Sequence, residues 1–201
     1  MHSQIQLILD FMVEIEKLKD VHRKTRPVGL KRYENSAEHS WHVCLSALML
    51  KDFAAEPVNI DRVIRMLLIH DLGEIDAGDT IIYASETPEN KLAEENGVKR
   101  ILSLLPESVA EGYLELWREF EDGATADAQF AKAIDRVPPL LHNLHDDGHS
   151  WRNHDVTKEM VLNVNRRVGK GIPALWQVLE GKLDQAEADG LLRSEKDSRS
   201  A

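Results

Sequence analysis

The sequence predicts an all-α protein with a single domain, folded as a bundle of about eight helices. Apolar residues recur at intervals of three and four along most of the chain, and no segment alternates convincingly with period two. The length of 201 residues suits one domain around one core. We therefore place the domain at residues 1–192 and expect the polar residues 193–201 to form a disordered tail.

Composition and charge restrict the class of function. Hydrophobic residues make up 42% and charged residues 30%, as in ordinary soluble proteins, and the net charge is -10. This charge argues against a nucleic-acid polymer as partner, because polymer phosphates require Lys/Arg clusters. The chain shows no secretory leader and no apolar run of about 18 residues, so we expect no membrane partner. Cys44 is the only cysteine, which fits a reducing, cytoplasmic location.

The first three helices follow from apolar stripes and capping residues. We expect helices over Ser3 to Lys19, over residues 37–54 after a cap at Asn35 or Ser36, and over Ile60 to Thr80. Five cations fall in the intervening loop, residues 22–33. This loop is either a solvated basic connector or a segment that faces a phosphate, and charge pattern alone favours the connector.

The later helices are bounded by proline, glycine and threonine. They are expected to begin near Thr87, Pro106, Ala126, Met160 and Leu175.

The third helix combines an apolar stripe with polar residues. Val63, Met66 and Leu67 share a face with His70 and Glu74. Asp71 lies about 100° around the helix from His70, so these two residues are candidates for two ligands of one metal ion. Taken alone, the pair indicates little, because a buried histidine is more often simply hydrogen-bonded.

Two further polar residues interrupt apolar faces in the same way. His39 opens the buried stripe of the second helix, and Asp135 lies on the apolar side of the sixth. A buried carboxylate needs a cation, donors or solvent. With His70 and Asp71 they make a set of two imidazoles and two carboxylates, which suits a divalent transition ion with open coordination positions and hence catalysis.

These residues lie in motifs that occur in a characteristic order: ENSAEHSWHV, MLLIHDLGEIDAGDT and FAKAIDRVPPLL. From about Lys17 to Asn143 the chain resembles the HD-domain metal-dependent phosphohydrolases, and more closely their 5'-deoxynucleotidase branch. The resemblance implies an HD-domain helical fold.

For the metal site, the resemblance implies that His39, His70, Asp71 and Asp135 bind one divalent ion, which would be Mn, Co, Zn, Fe or Mg. Glu74 would be catalytic: it would hold or deprotonate the attacking water, or protonate the leaving oxygen.

For the substrate site, the resemblance implies that Arg23 pairs with the phosphate, with Lys24 as the alternative cation. Asp79 would contact the sugar and take part in catalysis, and we also assign His142 to substrate binding. Lys24 and Thr25 stand where the family tends to have an aromatic residue. If that residue discriminates at the sugar 2' position, the preference for deoxyribose is open in this chain.

The expected reaction is hydrolysis of (deoxy)nucleoside 5'-monophosphates to nucleoside and phosphate. One alternative is a cyclic nucleotide or nucleoside triphosphate as substrate, with a second metal held by His142, His145 or His149. Another is a regulatory module that binds nucleotides without turnover. The resemblance also favours a homodimer.

Overall fold

The computed structural model describes residues 2–83 and 87–194. Within these ranges the chain forms helices and two isolated β-bridges but no β-strand, which confirms the all-α prediction. In chain order the α-helices are α1 His2–Glu14, α2 Ser36–Leu50, α3 Ile60–Ile69, α4 Glu74–Ala77, α5 Pro88–Leu102, α6 Glu107–Asp122, α7 Ala126–Asp135, α8 Val137–His145, α9 His149–Asn153, α10 Lys158–Gly171 and α11 Pro173–Ala188. In this part of the chain, no helix has the length and apolar character needed to cross a bilayer.

Two clusters of buried apolar side chains hold the helices together. The larger cluster joins α2, α3, α5, α6 and α7 through residues such as Met66, Phe120 and Ile134. The smaller joins α8 to α11 around Trp151 and Leu183. Helix α10 packs along α7 and so connects the two clusters.

The segment predicted as one helix over Ile60 to Thr80 is interrupted, so that prediction was wrong in its middle. Helix α3 ends at Ile69, a turn covers residues 70–73, and α4 begins at Glu74. The amide of Leu72 donates to the carbonyl of Ile69 at 3.1 Å, and that of Glu74 donates to Asp71 at 3.0 Å. These bonds span three residues instead of four, which tightens the chain and turns it.

The ends of other predicted helices also differ. The expected first and second helices finish as 3₁₀ helices, Ile15–Asp20 and Lys51–Phe53. The short helix α9 was not predicted, because its segment is rich in histidine and has no apolar periodicity.

Most of the expected tail, residues 195–201, lies outside the described residues. The first residue of the expected tail, Arg193, contacts the body of the protein. The carbonyl of Arg193 accepts a hydrogen bond from the amide of Lys158 at 3.0 Å, and its side chain pairs with Asp155 at 2.6 Å.

The turn after α3 depends on a close approach to α5. A Cβ placed on Gly73 would lie 2.5 Å from the carbonyl oxygen of Glu94, and one on Gly97 would lie 2.8 Å from the carbonyl oxygen of Gly73. Both neighbours are backbone atoms, which cannot rotate away. Glycine is therefore required on both sides of this contact.

We predict that Gly73→Ala destabilises the protein by about 1–3 kcal/mol, because α4 and α5 must separate to admit the methyl group. The control is Gly112→Ala, at an exposed position of α6 where a Cβ meets no atom within 4 Å. This change should instead stabilise by about 0.5–1 kcal/mol through helix propensity. Thermal denaturation of both variants measures the difference, and equal melting temperatures would contradict the close contact.

Candidate functional site

A backbone clasp positions the cationic loop next to the start of α2. The amide of Arg23 donates to the carbonyl of Glu34 at 2.8 Å, and the amide of Glu34 donates to the carbonyl of Thr25 at 2.9 Å. An isolated antiparallel bridge joins His22 and Asn35 beside them. The clasp fixes both the guanidinium of Arg23 and the carboxylate of Glu34 at the site.

His39 lies in the first turn of α2, which a capping box holds in place. The side chain of Asn35 accepts from the amide of Glu38 at 2.9 Å, and the carboxylate of Glu38 accepts from the amide of Asn35 at 2.8 Å. The His39 ring is fully buried. Its Nε2 lies 2.9 Å from Oδ1 of Asp135, and its Nδ1 lies 3.3 Å from Oε2 of Glu34.

His70 follows the last residue of α3 and is held at two points. Its Nδ1 lies 2.8 Å from the carbonyl oxygen of Leu67, and its own carbonyl accepts from Nε1 of Trp117 at 3.1 Å. Its Nε2 is buried and has no hydrogen-bond partner among the described residues. That atom lies 3.0 Å from Oδ1 of Asp71 and 3.4 Å from Oδ1 of Asp135. Burial disfavours the protonated imidazole of His70. The negative charge of Asp71, followed by the interaction with Asp135, outweighs burial and raises the pKa of His70 to about 9.

The residues fit a divalent metal ion. One ligand atom each from His39, His70 and Asp135 lies within 4.8 Å of the other two. Asp71 borders the same space. The unpartnered Nε2 of His70 and the negative potential of the two aspartates are features that a bound cation would satisfy. The structure therefore brings together all four residues expected to bind the metal.

A network around Arg23 adjoins this set. Its Nη1 donates to Oδ2 of Asp71 at 2.8 Å and lies 3.8 Å from Glu74 and 3.9 Å from Asp79. Burial opposes the charge on Arg23, but these three carboxylates outweigh it and raise its pKa. Burial, followed by repulsion from Asp71, raises the pKa of Glu74 well above its usual value. Oε2 of Glu74 accepts a 2.6 Å hydrogen bond from Ser36, a contact that sequence analysis did not identify.

A cavity of about 840 Å³ opens over these groups. This volume lies in the range of about 300–1,000 Å³ typical of small-molecule sites. His39 is fully buried and does not line the cavity. The expected site residues that line it are Arg23, Lys24, His70, Asp71, Glu74, Asp79 and Asp135.

His142, which sequence analysis assigns to substrate binding, does not line this cavity. It is buried, with Nδ1 3.1 Å from Oγ1 of Thr25 and Nε2 3.8 Å from Oε1 of Glu34. Thr25 does line the cavity, so His142 supports the wall from behind. The second metal site suggested for His142, His145 and His149 is not assembled in the described part of the chain: His145 is exposed, and His149 pairs with Asn153.

Glu34 is a site residue to which sequence analysis gave no role. It is 2% exposed, and its Oε2 faces both Nδ1 of His39 and, at 3.5 Å, Nε of Arg23. Burial disfavours the ionised form of Glu34. The interaction with His39 is the largest of the effects that outweigh burial, and the pKa of Glu34 is lowered as a result. An acceptor at Nδ1 keeps the proton on that nitrogen and leaves Nε2 of His39 free to bind a metal. The motif ENSAEHS contains the sequence feature that could have identified Glu34: an acidic residue five positions before the histidine.

We predict that Glu34→Gln weakens metal binding by about 10- to 100-fold, because the amide no longer holds His39 as a charged acceptor does. Calorimetric titration with Mn²⁺ and the visible spectrum of the Co²⁺ form measure this directly. Glu56→Gln, at an exposed position outside the site, is the matched control. Wild-type affinity and an unaltered Co²⁺ spectrum in Glu34→Gln would show that the contact with His39 is incidental.

Comparison with known proteins identifies relatives of this chain. A 5'-deoxynucleotidase HDDC2 from Homo sapiens is 33% identical over 137 residues, which cover 67% of this chain and 65% of the human protein. The match thus spans just under two thirds of that relative's length. A 5'-deoxynucleotidase HDDC2 from Danio rerio is 24% identical over 194 residues, or 96% of this chain and 88% of that protein.

Solved structures and a family model extend the comparison. A predicted metal-dependent phosphohydrolase from Magnetospirillum magnetotacticum MS-1 superposes with a TM-score of 0.89 at 42% identity, covering 94% of this chain and 98% of that one. An HD-domain phosphohydrolase from Listeria innocua shares the fold, with a TM-score of 0.59 at 18% identity, covering 90% of this chain and 86% of that one. The model of the HD domain matches residues 15–176, which is most of the chain. The protein therefore belongs to the HD-domain family.

Proposed function

We propose that the protein is a metal-dependent phosphomonoesterase that hydrolyses (deoxy)nucleoside 5'-monophosphates to nucleoside and phosphate. The observation that carries this proposal is the convergence of His39, His70 and Asp135 directly beside Glu74 and Arg23, at the base of one cavity. The similarity to proteins named 5'-deoxynucleotidases supports the same substrate class. The identity of the metal is not assigned among Mn, Co, Zn, Fe and Mg.

The metal ligands and Glu74 divide the chemistry between them. When bound, the divalent ion supplies Lewis-acid polarisation of the phosphoryl group and activation of water. Glu74 carries out proton transfer in this proposal, either from the attacking water or to the leaving oxygen. Its raised pKa suits a group that takes up and releases a proton during the reaction. The hydrogen bond from Ser36 orients its carboxyl group.

The remaining cavity residues hold the substrate. Arg23 pairs with the phosphate while it anchors Asp71, and Lys24 is exposed at the cavity wall as a second cation. Asp79 contacts the sugar. Thr25, held by His142, occupies the wall where the family tends to have an aromatic residue, so the choice between ribose and deoxyribose is to be tested directly.

We also propose that the protein forms a homodimer through the α2 face, defined as Trp41, Leu45, Leu48 and Met49. These residues share one side of α2, and Trp41 and Met49 are 65% and 67% exposed. An apolar stripe of this kind on a surface helix is typical of an interface between subunits. A cytoplasmic location also remains a prediction.

For the reaction, we predict that the wild-type protein releases inorganic phosphate from nucleoside 5'-monophosphates only when a divalent metal is present. A panel of ribo- and deoxyribonucleotides, each with Mn²⁺, Co²⁺, Mg²⁺ or Zn²⁺, measures both the substrate class and the sugar preference. Cyclic nucleotides and triphosphates belong in the same panel. Tight nucleotide binding without phosphate release under any metal would contradict the proposal and favour a regulatory module.

The control for this panel separates catalysis from metal binding. Glu74→Gln should retain the metal and lose about 10²- to 10⁴-fold in kcat, since it removes a proton-transfer group. His70→Ala should lose both metal and activity. Equal metal loss in the two variants would contradict the separate role of Glu74.

For the dimer, we predict that Trp41→Glu combined with Met49→Glu converts the protein to a monomer, because a charge would be buried on each side of the interface. Light scattering after size-exclusion chromatography measures the molar mass. Leu92→Glu is the matched control, since Leu92 is 57% exposed but lies on α5. A monomeric wild-type protein, or an unchanged dimer in the double variant, would refute this interface.

A further inference from the structure

The floor of the cavity is poorly suited to hold a phosphate by itself. Arg23 is its single guanidinium, and carboxylate oxygens of Glu34, Asp71, Glu74 and Asp79 all lie within 3.9 Å of it. With Asp135 included, this side remains formally negative even after a divalent ion binds and Glu74 is protonated. A phosphate monoester carries a charge of about -1.5 to -2 at pH 7. The phosphate therefore needs cations from another direction.

Another part of the lining of the same cavity carries such cations. Lys132, Arg136 and Arg167, which we call the basic wall, all line the cavity. Nε of Arg136 is buried and has no hydrogen-bond partner in the described structure, and its nearest carboxylate oxygen, on Asp135, is 3.6 Å away. Lys132 has one ion pair, 3.5 Å from Glu121. Arg167 has no ion pair or hydrogen bond to any described residue.

The charges of the basic wall repel one another. Lys132 and Arg136 lie about one turn apart at the end of α7, and among the described residues their ion-pair partners are Glu121 and Asp135 alone. Three like charges therefore lie close together with too few carboxylates to balance them. A bound anion would relieve this repulsion and supply the missing acceptor for Nε of Arg136.

Two features place the basic wall beside the metal ligands. Oδ1 of Asp135 faces the two histidines, whereas its Oδ2 faces Arg136, so one carboxylate separates the guanidinium from the metal site. Helix α10 crosses α7 closely at Gly171, where a Cβ would lie 2.6 Å from Cβ of Ala133. This crossing holds Arg167, one turn earlier on α10, against the end of α7.

We propose that the basic wall is a phosphate-binding subsite, which holds the tetrahedral phosphoryl group of the substrate, and then the phosphate product, next to Asp135. This inference rests on the proposed function for its substrate, a phosphomonoester. Arg136 and Arg167 donate to the phosphoryl oxygens, and Lys132 contributes a nearby charge. Arg23 pairs with the phosphate as well, while it holds Asp71 and Glu74 in place.

The test measures binding of inorganic phosphate to the Mn²⁺-loaded protein by calorimetry, so it needs no turnover. Arg136→Gln and Arg167→Gln should each raise the Kd for phosphate by about tenfold or more, since each removes a charge-assisted hydrogen bond. Their Mn²⁺ content should not change. Arg65→Gln makes the same change in net charge at an exposed position outside the cavity and should bind phosphate like the wild type. The Kd of Arg136→Lys for phosphate should lie between those of Arg136→Gln and the wild type, because lysine keeps the charge.

The outcomes separate this inference from the proposed function. Unchanged phosphate affinity in both Gln variants, an equal loss in Arg65→Gln, or no phosphate binding by the wild type would overturn the subsite. If the wild type hydrolyses nucleotides and both variants keep its KM, the subsite fails while the function stands. If phosphate binding is lost as expected but no nucleotide is hydrolysed, the function fails while the subsite stands.

Discussion

One oxygen of the buried Asp135 carboxylate lies within 3.4 Å of two imidazoles and the other faces a guanidinium, and three helices must meet for this to occur. His39 comes from the start of α2, His70 from the end of α3 and Asp135 from the end of α7. Their apolar faces pack in one core, so the same burial that stabilises the fold brings the polar ends together. The free energy of folding thereby offsets the cost of removing these charges from water.

This concentration of carboxylates explains much of the surrounding structure. Arg23 is needed inside the protein because Asp71, Glu74 and Asp79 would otherwise repel one another without a cation between them. The backbone clasp to Glu34 holds the guanidinium there and also places the Glu34 carboxylate against His39. A divalent ion at the histidines would offset part of this negative charge, and the basic wall would meet the charge of the substrate.

Sequence analysis predicted the helical fold from its periodicity, and it selected four candidate metal ligands because a polar residue on an apolar helical face departs visibly from that periodicity. Glu34 gave no such signal, since it lies in a loop where no periodicity applies. The basic wall depends on how α10 crosses α7, which residue spacing does not reveal. The position of His142 behind Thr25 was not predictable for the same reason: its helix begins anew after Arg136, so its face relative to α7 cannot be read from spacing.

The central claim is that one metal ion binds between α2, α3 and α7. Crystals soaked in Mn²⁺ and measured at its absorption edge test this claim most directly. We expect a single anomalous peak within coordination distance of His39 Nε2, His70 Nε2 and the carboxylates of Asp71 and Asp135. A peak instead at Glu34, His42 and His142, the second group of converging ligand atoms in the described structure, would contradict the account, as would no peak at all.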